Sequence, residues 1–226
     1  MAVKEFVKEL NGSRVEGELV KTIFYSLVTS FIIVALLYFF KLRFISDFFS
    51  YSGLYLLLAV LSYSLIIPTI RQVRAYKNFA CMSGMMIGMT VGMISGFLVG
   101  FFVGAVNGMF VGGVFGMFVG MVLGVWLGTC CGVMGFMEGM MAGLMGGWMG
   151  SMTAVMLLND HLVAATIIIF LVSAVLLLAL NYMVFLEAKE SPRQLLEDHF
   201  ITILVTLLLT SITIILMAYA PRGFGL

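Results

Sequence analysis

The stretch CMSGMMIGMTVGMISG, residues 81–96, places glycine at 84, 88, 92 and 96 and sets a methionine directly after three of them, at 85, 89 and 93. The pattern continues well beyond this window. Glycine occupies every fourth position from 84 through 132, and a second row follows at 135, 139, 143 and 147. A period of four is close to the helical 3.6, so each row lies along one side of a helix. No charged residue interrupts residues 81–137, and the whole chain is 62% hydrophobic and only 10% charged. A soluble domain does not carry that balance, whereas apolar runs of about 20 residues are what a bilayer-crossing helix requires. The expected fold class is therefore an all-α integral membrane protein.

The number of spans follows from length. A single straight helix from 84 to 132 would be about 73 Å long, more than twice the hydrocarbon thickness. The segment must fold back on itself. Asn107-Gly108 is the best turn and GTCCG, 128–132, the second. With apolar runs on either side, about seven transmembrane helices are expected, at about 20–40, 52–70, 79–104, 108–128, 131–157, 162–186 and 200–220. Pro68 is expected to close the second. The chain then divides into an N-terminal segment (1–21), spans one and two (22–70), a basic loop (71–78), Gly/Met-rich spans three to five (79–158), spans six and seven (159–220) and a tail (221–226). Within 159–220, Ser191, Pro192 and Gln194 read as the N-cap, first-turn proline and capping-box partner of a short interfacial helix at 191–199.

The first 21 residues are too charged for a cleaved signal peptide. Placing them in the cytoplasm puts nine basic residues inside (Lys4, Lys8, Arg14, Lys21, Arg71, Arg74, Lys77, Lys189 and Arg193) against Lys41, Arg43 and Arg222 outside. That bias matches the positive-inside rule and predicts a multi-pass protein of the cell membrane with a cytoplasmic N-terminus. The Asn-Gly-Ser acceptor at Asn11 is then on the unmodified side. A net charge of +1 without a basic cluster gives no sign of nucleic acid as a partner.

In lipid, small residues that let backbones approach carry helix packing. Gly84, Gly88, Gly92, Gly96, Gly116, Gly120, Gly139 and Gly143 are accordingly expected to form a glycine-zipper core of helices 3–5. A homo-oligomer or association with other membrane subunits is a further expectation of such surfaces, the bilayer itself being the first partner.

Sixteen of the nineteen methionines fall between 82 and 156. On a wheel of the fifth span, Cys131, Met134, Met141, Met145, Met149, Met152 and Met156 lie within about 60° of Glu138, with the glycines on a neighbouring arc. Met82, Met85, Met86, Met89 and Met93 share an arc of the third span, as Met117 and Met121 do in the fourth. Thioethers and thiolates are soft ligands that select Cu(I). Uncharged methionine sites also suit a path on which an ion must bind and then leave. Met85, Met89, Met93, Met117, Met121, Met134, Met141, Met145 and Met149 are thus candidate ligands, leading to Cys81, Cys130 and Cys131 at the cytoplasmic mouth. Asp160 and His161 would make the first contact outside, and Glu138, an ionisable residue in mid-span, is a candidate gate or coupling site. The spacing Met85-Met89-Met93, Met117-Met121 and Met137-Met141-Met145-Met149 resembles the eukaryotic high-affinity copper transporters. They pair MxxxM with GxxxG in a three-span trimer and place Cys and His near the cytoplasmic exit. The likeness covers those short motifs and not the seven-span layout.

The expected function is movement of a soft metal ion, Cu(I) foremost, along methionine stripes of the glycine-packed core. The metal is cargo, and no permanently bound cofactor is expected. The alternative is a non-catalytic scaffold or accessory subunit in which methionine is the pliable filler opposite glycine grooves. In that reading Cys130 and Cys131 are small residues at a tight turn, His161 is a surface loop residue and His199 an interfacial one. Trp126 and Trp148 serve as interface anchors in either. Nothing points to an enzyme: the glycines are not followed by the Gly-Lys-Ser/Thr of a phosphate loop, and His and carboxylates are too sparse for a hard-metal centre.

Overall fold

The computed structural model describes residues 15–40, 48–76, 81–129, 132–158, 160–188 and 199–219, all but the short connections helical. Among the described residues seven helices follow one another: α1 (Val15–Phe40), α2 (Phe48–Ala75), α3 (Cys81–Asn107), α4 (Met109–Gly128), α5 (Gly132–Met156), α6 (Leu162–Ala188) and α7 (His199–Tyr219). Four of them are long and apolar enough to cross a membrane, over Gly53–Ala75, Cys81–Asn107, Met109–Gly128 and Leu162–Glu187. The described parts of α1 and α7 add shorter apolar helices, Lys21–Leu36 and Ile203–Ala218. The protein is an all-helical, membrane-embedded chain.

One correction to the expected boundaries has a simple cause. Pro68 lies inside α2, which continues to Ala75. In a buried helix, neighbouring elements compensate for the backbone bond that proline removes, and Pro68 is itself buried. The interfacial helix expected at 191–199 falls mostly outside the described residues. The turn at Asn107-Gly108 is where the polar break placed it. Gly108 adopts φ 91°, a left-handed conformation that glycine takes without a Cβ penalty.

The architecture has two parts that share α3. On one side α3, α4 and α5 pack against one another through glycine. On the other, α3 presents Ile87, Val91, Leu98 and Phe102, all essentially inaccessible, to an aliphatic core that includes Leu56, Val60, Ile66, Ile67 and Ile70 of α2. Helices α1, α6 and α7 gather around α2, while α5 packs on α3 and α4 at the far edge. Four side-chain hydrogen bonds tie the second group together. Arg71 Nη1 donates to Thr22 Oγ1 at 3.1 Å (α2 to α1), and Gln72 Nε2 donates to the Asn181 carbonyl at 3.1 Å (α2 to α6). Tyr63 and Thr213 hydroxyls meet at 2.9 Å (α2 to α7), and Asn107 Nδ2 donates to the Leu216 carbonyl at 3.2 Å (α3 to α7). Interhelical bonds of this kind are a standard means of joining helices where lipid supplies no hydrophobic drive.

Candidate functional site

The glycine rows bring three backbones into contact. A Cβ on Gly92 would stand 3.0 Å from Gly124 Cα and 3.2 Å from the carbonyls of Gly120 and Gly139. One on Gly96 would stand 3.1 Å from the Gly143 carbonyl and 3.2 Å from that of Gly116. Both positions on α3 therefore touch α4 and α5 at once. Gly88 faces Gly128, Gly100 and Gly116 face each other, and Gly124 and Gly139 abut across the α4–α5 seam. The axis of the three-helix block is filled by backbone atoms.

The methionines lie beside the glycine rows, and on α3 and α5 most of them face outward. None of the sixteen between 82 and 156 is buried. Met82, Met86, Met89 and Met93 are exposed along α3. On α5 the exposed set is Met134, Met137, Met140, Met141, Met145, Met149, Met152 and Met156, with Met134 at 67% and Met141 at 66%. Met85, Met117 and Met121 are half-buried. The expectation that each thioether stripe shares one arc beside the glycines holds for α3 and α5, but the expected placement inside the glycine-packed core does not. Glycine on glycine leaves no groove for a long side chain to fill, so methionine is turned outward. The stripes of α3 and α5 flank one seam. The Met93 carbonyl lies directly against Gly146, and Phe97, one turn along, against Gly150. Glu138 sits half-buried on the methionine face of α5, six residues and about 9 Å in from the start of the helix.

Cys81 is exposed at the first residue of α3. Because Gly88 packs on Gly128 and Gly128 on Gly135, the start of α3, the end of α4 and the start of α5 share one end of the block. Cys130 and Cys131 lie outside the described residues, between the described Thr129 and Gly132 of that end. Asp160 and His161 are exposed in the turn between α5 and α6, with His161 Nε2 and Asp160 Oδ1 4.0 Å apart. Both are remote from the thiol, at the other end of α5. Among the described residues, no group of three or more His, Cys, Asp or Glu converges in a way that holds a metal ion. The two tryptophans differ. Trp126 lies under the Arg74 guanidinium, 4.6 Å from ring centroid to Cζ, whereas the half-buried Trp148 packs against Gly113 of α4.

Sequence reading passed over a buried polar seam on the other side of the molecule. Thr22, Ser26 and Ser30 of α1 are all buried, as are Thr206, Thr210 and Thr213 of α7 and Gln72 and Asn181. Ser26 Oγ, Ser30 Oγ, Gln72 Oε1 and Asn181 Oδ1 have no hydrogen-bond partner in the structure. The four-residue spacing Thr22-Ser26-Ser30 inside an apolar run is the same small-residue signal as the glycine rows, written in hydroxyls. No protein-family model matches the chain, and no curated protein or solved structure does so either.

Proposed function

We propose that the chain is a seven-span membrane protein with a cytoplasmic N-terminus and a glycine-zipper core, and that it moves a soft metal ion, Cu(I) foremost, over the methionine face of α3 and α5. The ion travels on the outside of the three-helix block, along the seam flanked by Met93, Met145 and Met149. Cys81, with Cys130 and Cys131, receives it at the cytoplasmic end, and Glu138 is the ionisable coupling group beside the path.

One contrast carries this reading. The exposed large apolar residues of α6 are Val163, Ile167, Ile168, Leu171, Val172, Val175, Leu176, Leu178 and Leu186, whereas those of α3 and α5 are mostly methionine. A requirement for apolarity alone is met equally well by branched aliphatic residues, as α6 demonstrates. What methionine adds is a flexible thioether, and thioethers are ligands for soft cations. The test is an Ag(I) titration of purified protein in which the three cysteines are replaced by serine, with bound metal measured after desalting. The protein is expected to retain silver, and the triple variant Met85→Leu, Met141→Leu, Met145→Leu to lose most of it. Equal retention by the triple variant overturns the assignment.

The second reading is a scaffold or accessory subunit, favoured by the backbone-filled axis of α3–α5. The methionine face is then an adaptable docking surface for other membrane helices. Under it, the same Met→Leu changes leave function intact, while Gly92→Leu or Gly143→Leu destroys assembly.

A further inference from the structure

Glu138 is the only charged residue between Cys81 and Met156. Its neighbour Gly139 abuts Gly124 across the α4–α5 seam, and Gly124 lies four residues, about 6 Å, inside the Gly128 end of the span Met109–Gly128. The carboxyl is therefore at hydrocarbon depth. It is half-buried on the methionine face of α5, a helix that packs on α3 and α4. Neither neighbour carries a lysine or arginine, and among the described residues no ion pair involves Glu138. Along the same face Met134, Met141, Met145, Met149 and Met156 are exposed. From Met134 to Met156 the stripe covers 22 residues, about 33 Å, which is the length of one spanning helix.

We propose that this face docks a spanning helix of another membrane protein, one that carries a lysine or arginine at the depth of Glu138. The proposal rests on the scaffold reading above and names its partner. Charge sets the partner's chemistry. An acid inside the bilayer is costly against acyl chains, so such residues pair with a cation or turn into the bundle. Glu138 faces outward, and neither α3 nor α4 offers it a cation. The rest of the face is likewise unlike a lipid-facing surface. Helix α6 turns valine, isoleucine and leucine outward, whereas α5 presents methionine, the adaptable apolar residue of surfaces that accept partners. Helix α5 also lies outside the four most apolar spans. A second copy of this chain fits poorly, because two-fold pairing of α5 with its counterpart sets two acids against each other with no basic residue from either face.

The test uses full-length protein in phosphatidylcholine vesicles and a synthetic leucine–alanine spanning peptide with one lysine inside its apolar run and a dansyl group at one end. Energy transfer from Trp126 and Trp148 to the dansyl group reports association. The lysine peptide is expected to associate at about tenfold lower mole fraction than the same peptide with leucine in place of the lysine, the lower end of what a charge-assisted hydrogen bond contributes. Glu138→Gln is expected to remove that preference. Glu138→Lys is expected to transfer it to a peptide carrying glutamate, a reversal that misfolding cannot produce. Equal association of the lysine and leucine peptides overturns the proposal and leaves the scaffold reading standing, whereas association of neither peptide overturns both. Self-association of the protein that Glu138→Gln abolishes overturns the proposal in favour of a second copy.

Discussion

A Cβ on Gly124 would stand 2.6 Å from the carbonyl oxygen of Gly139. The nearest atoms are backbone of α5 and cannot rotate aside, so even alanine forces two helices apart. Gly124→Ala and Gly139→Ala are each expected to cost at least the upper end of the overpacking range, about 3 kcal/mol. Thermal unfolding of detergent-solubilised protein measures it, and a Tm within a degree of wild type refutes it. Gly132 is the internal control. Its Cβ meets nothing within 4 Å, but φ is +67°, so Gly132→Ala should lose only about 1 kcal/mol of left-handed backbone preference.

The exposed thioethers should be dispensable for stability. Met141, Met145 and Met149 are exposed on α5, and replacing all three by leucine keeps volume and apolarity. The expected change in unfolding free energy is below about 0.5 kcal/mol, whatever happens to metal retention. Met217, buried to 2% in α7, behaves in the opposite way. Met217→Ala is expected to cost about 2–5 kcal/mol as a core cavity.

The Tyr63–Thr213 pair separates hydrogen bonding from packing. Tyr63→Phe removes one hydroxyl contact and leaves Thr213 its bond to the Leu209 carbonyl, for an expected loss of about 0.6 kcal/mol. Tyr63→Ala empties a fully buried site and is expected to cost about 3–5 kcal/mol. Unfolding curves for the two variants that coincide contradict this division.

Cys81 reports orientation. It is exposed at the start of α3, on the same side as the N-terminus if two spans precede it. With Cys130 and Cys131 changed to serine, a membrane-impermeant maleimide is expected to label Cys81 in inside-out vesicles and not in intact cells. Labelling of intact cells reverses the proposed topology.

The helical character was legible because long apolar runs broken at Asn107-Gly108 and at 128–132 leave few alternatives. The glycine face was equally readable, since period four on a helix is geometry. What could not be read was the direction in which methionine pointed. A wheel shows that Met145 and Gly143 lie on different arcs, but not which arc meets a neighbour. That depends on how closely the helices approach. With Gly143 seated against the backbone of Gly120 and Met121, the gap that would have held a thioether disappears. Pro68 misled for a related reason: a proline ends an isolated helix, but in α2 it is enclosed by other helices. Ser26, Ser30 and Asn181 were overlooked because each is a lone polar residue in an apolar run, and Thr22 and Gln72 because each adjoins a charged residue expected outside the bilayer.

The interlocked glycines also bear on how the protein is made. Helix α5 carries glycine at 132, 135, 139, 143, 146, 147 and 150, each less favourable to helix than alanine by about 1 kcal/mol, and it lies outside the four most apolar spans. Its small residues gain their contacts against Met93 and Phe97 of α3 and Gly116, Gly120, Gly124 and Gly128 of α4, two helices synthesised earlier. The translocon must therefore hold α3 and α4 until α5 emerges and release all three into lipid together, so truncating a nascent chain before Met156 should leave the partial block exposed to quality-control proteolysis.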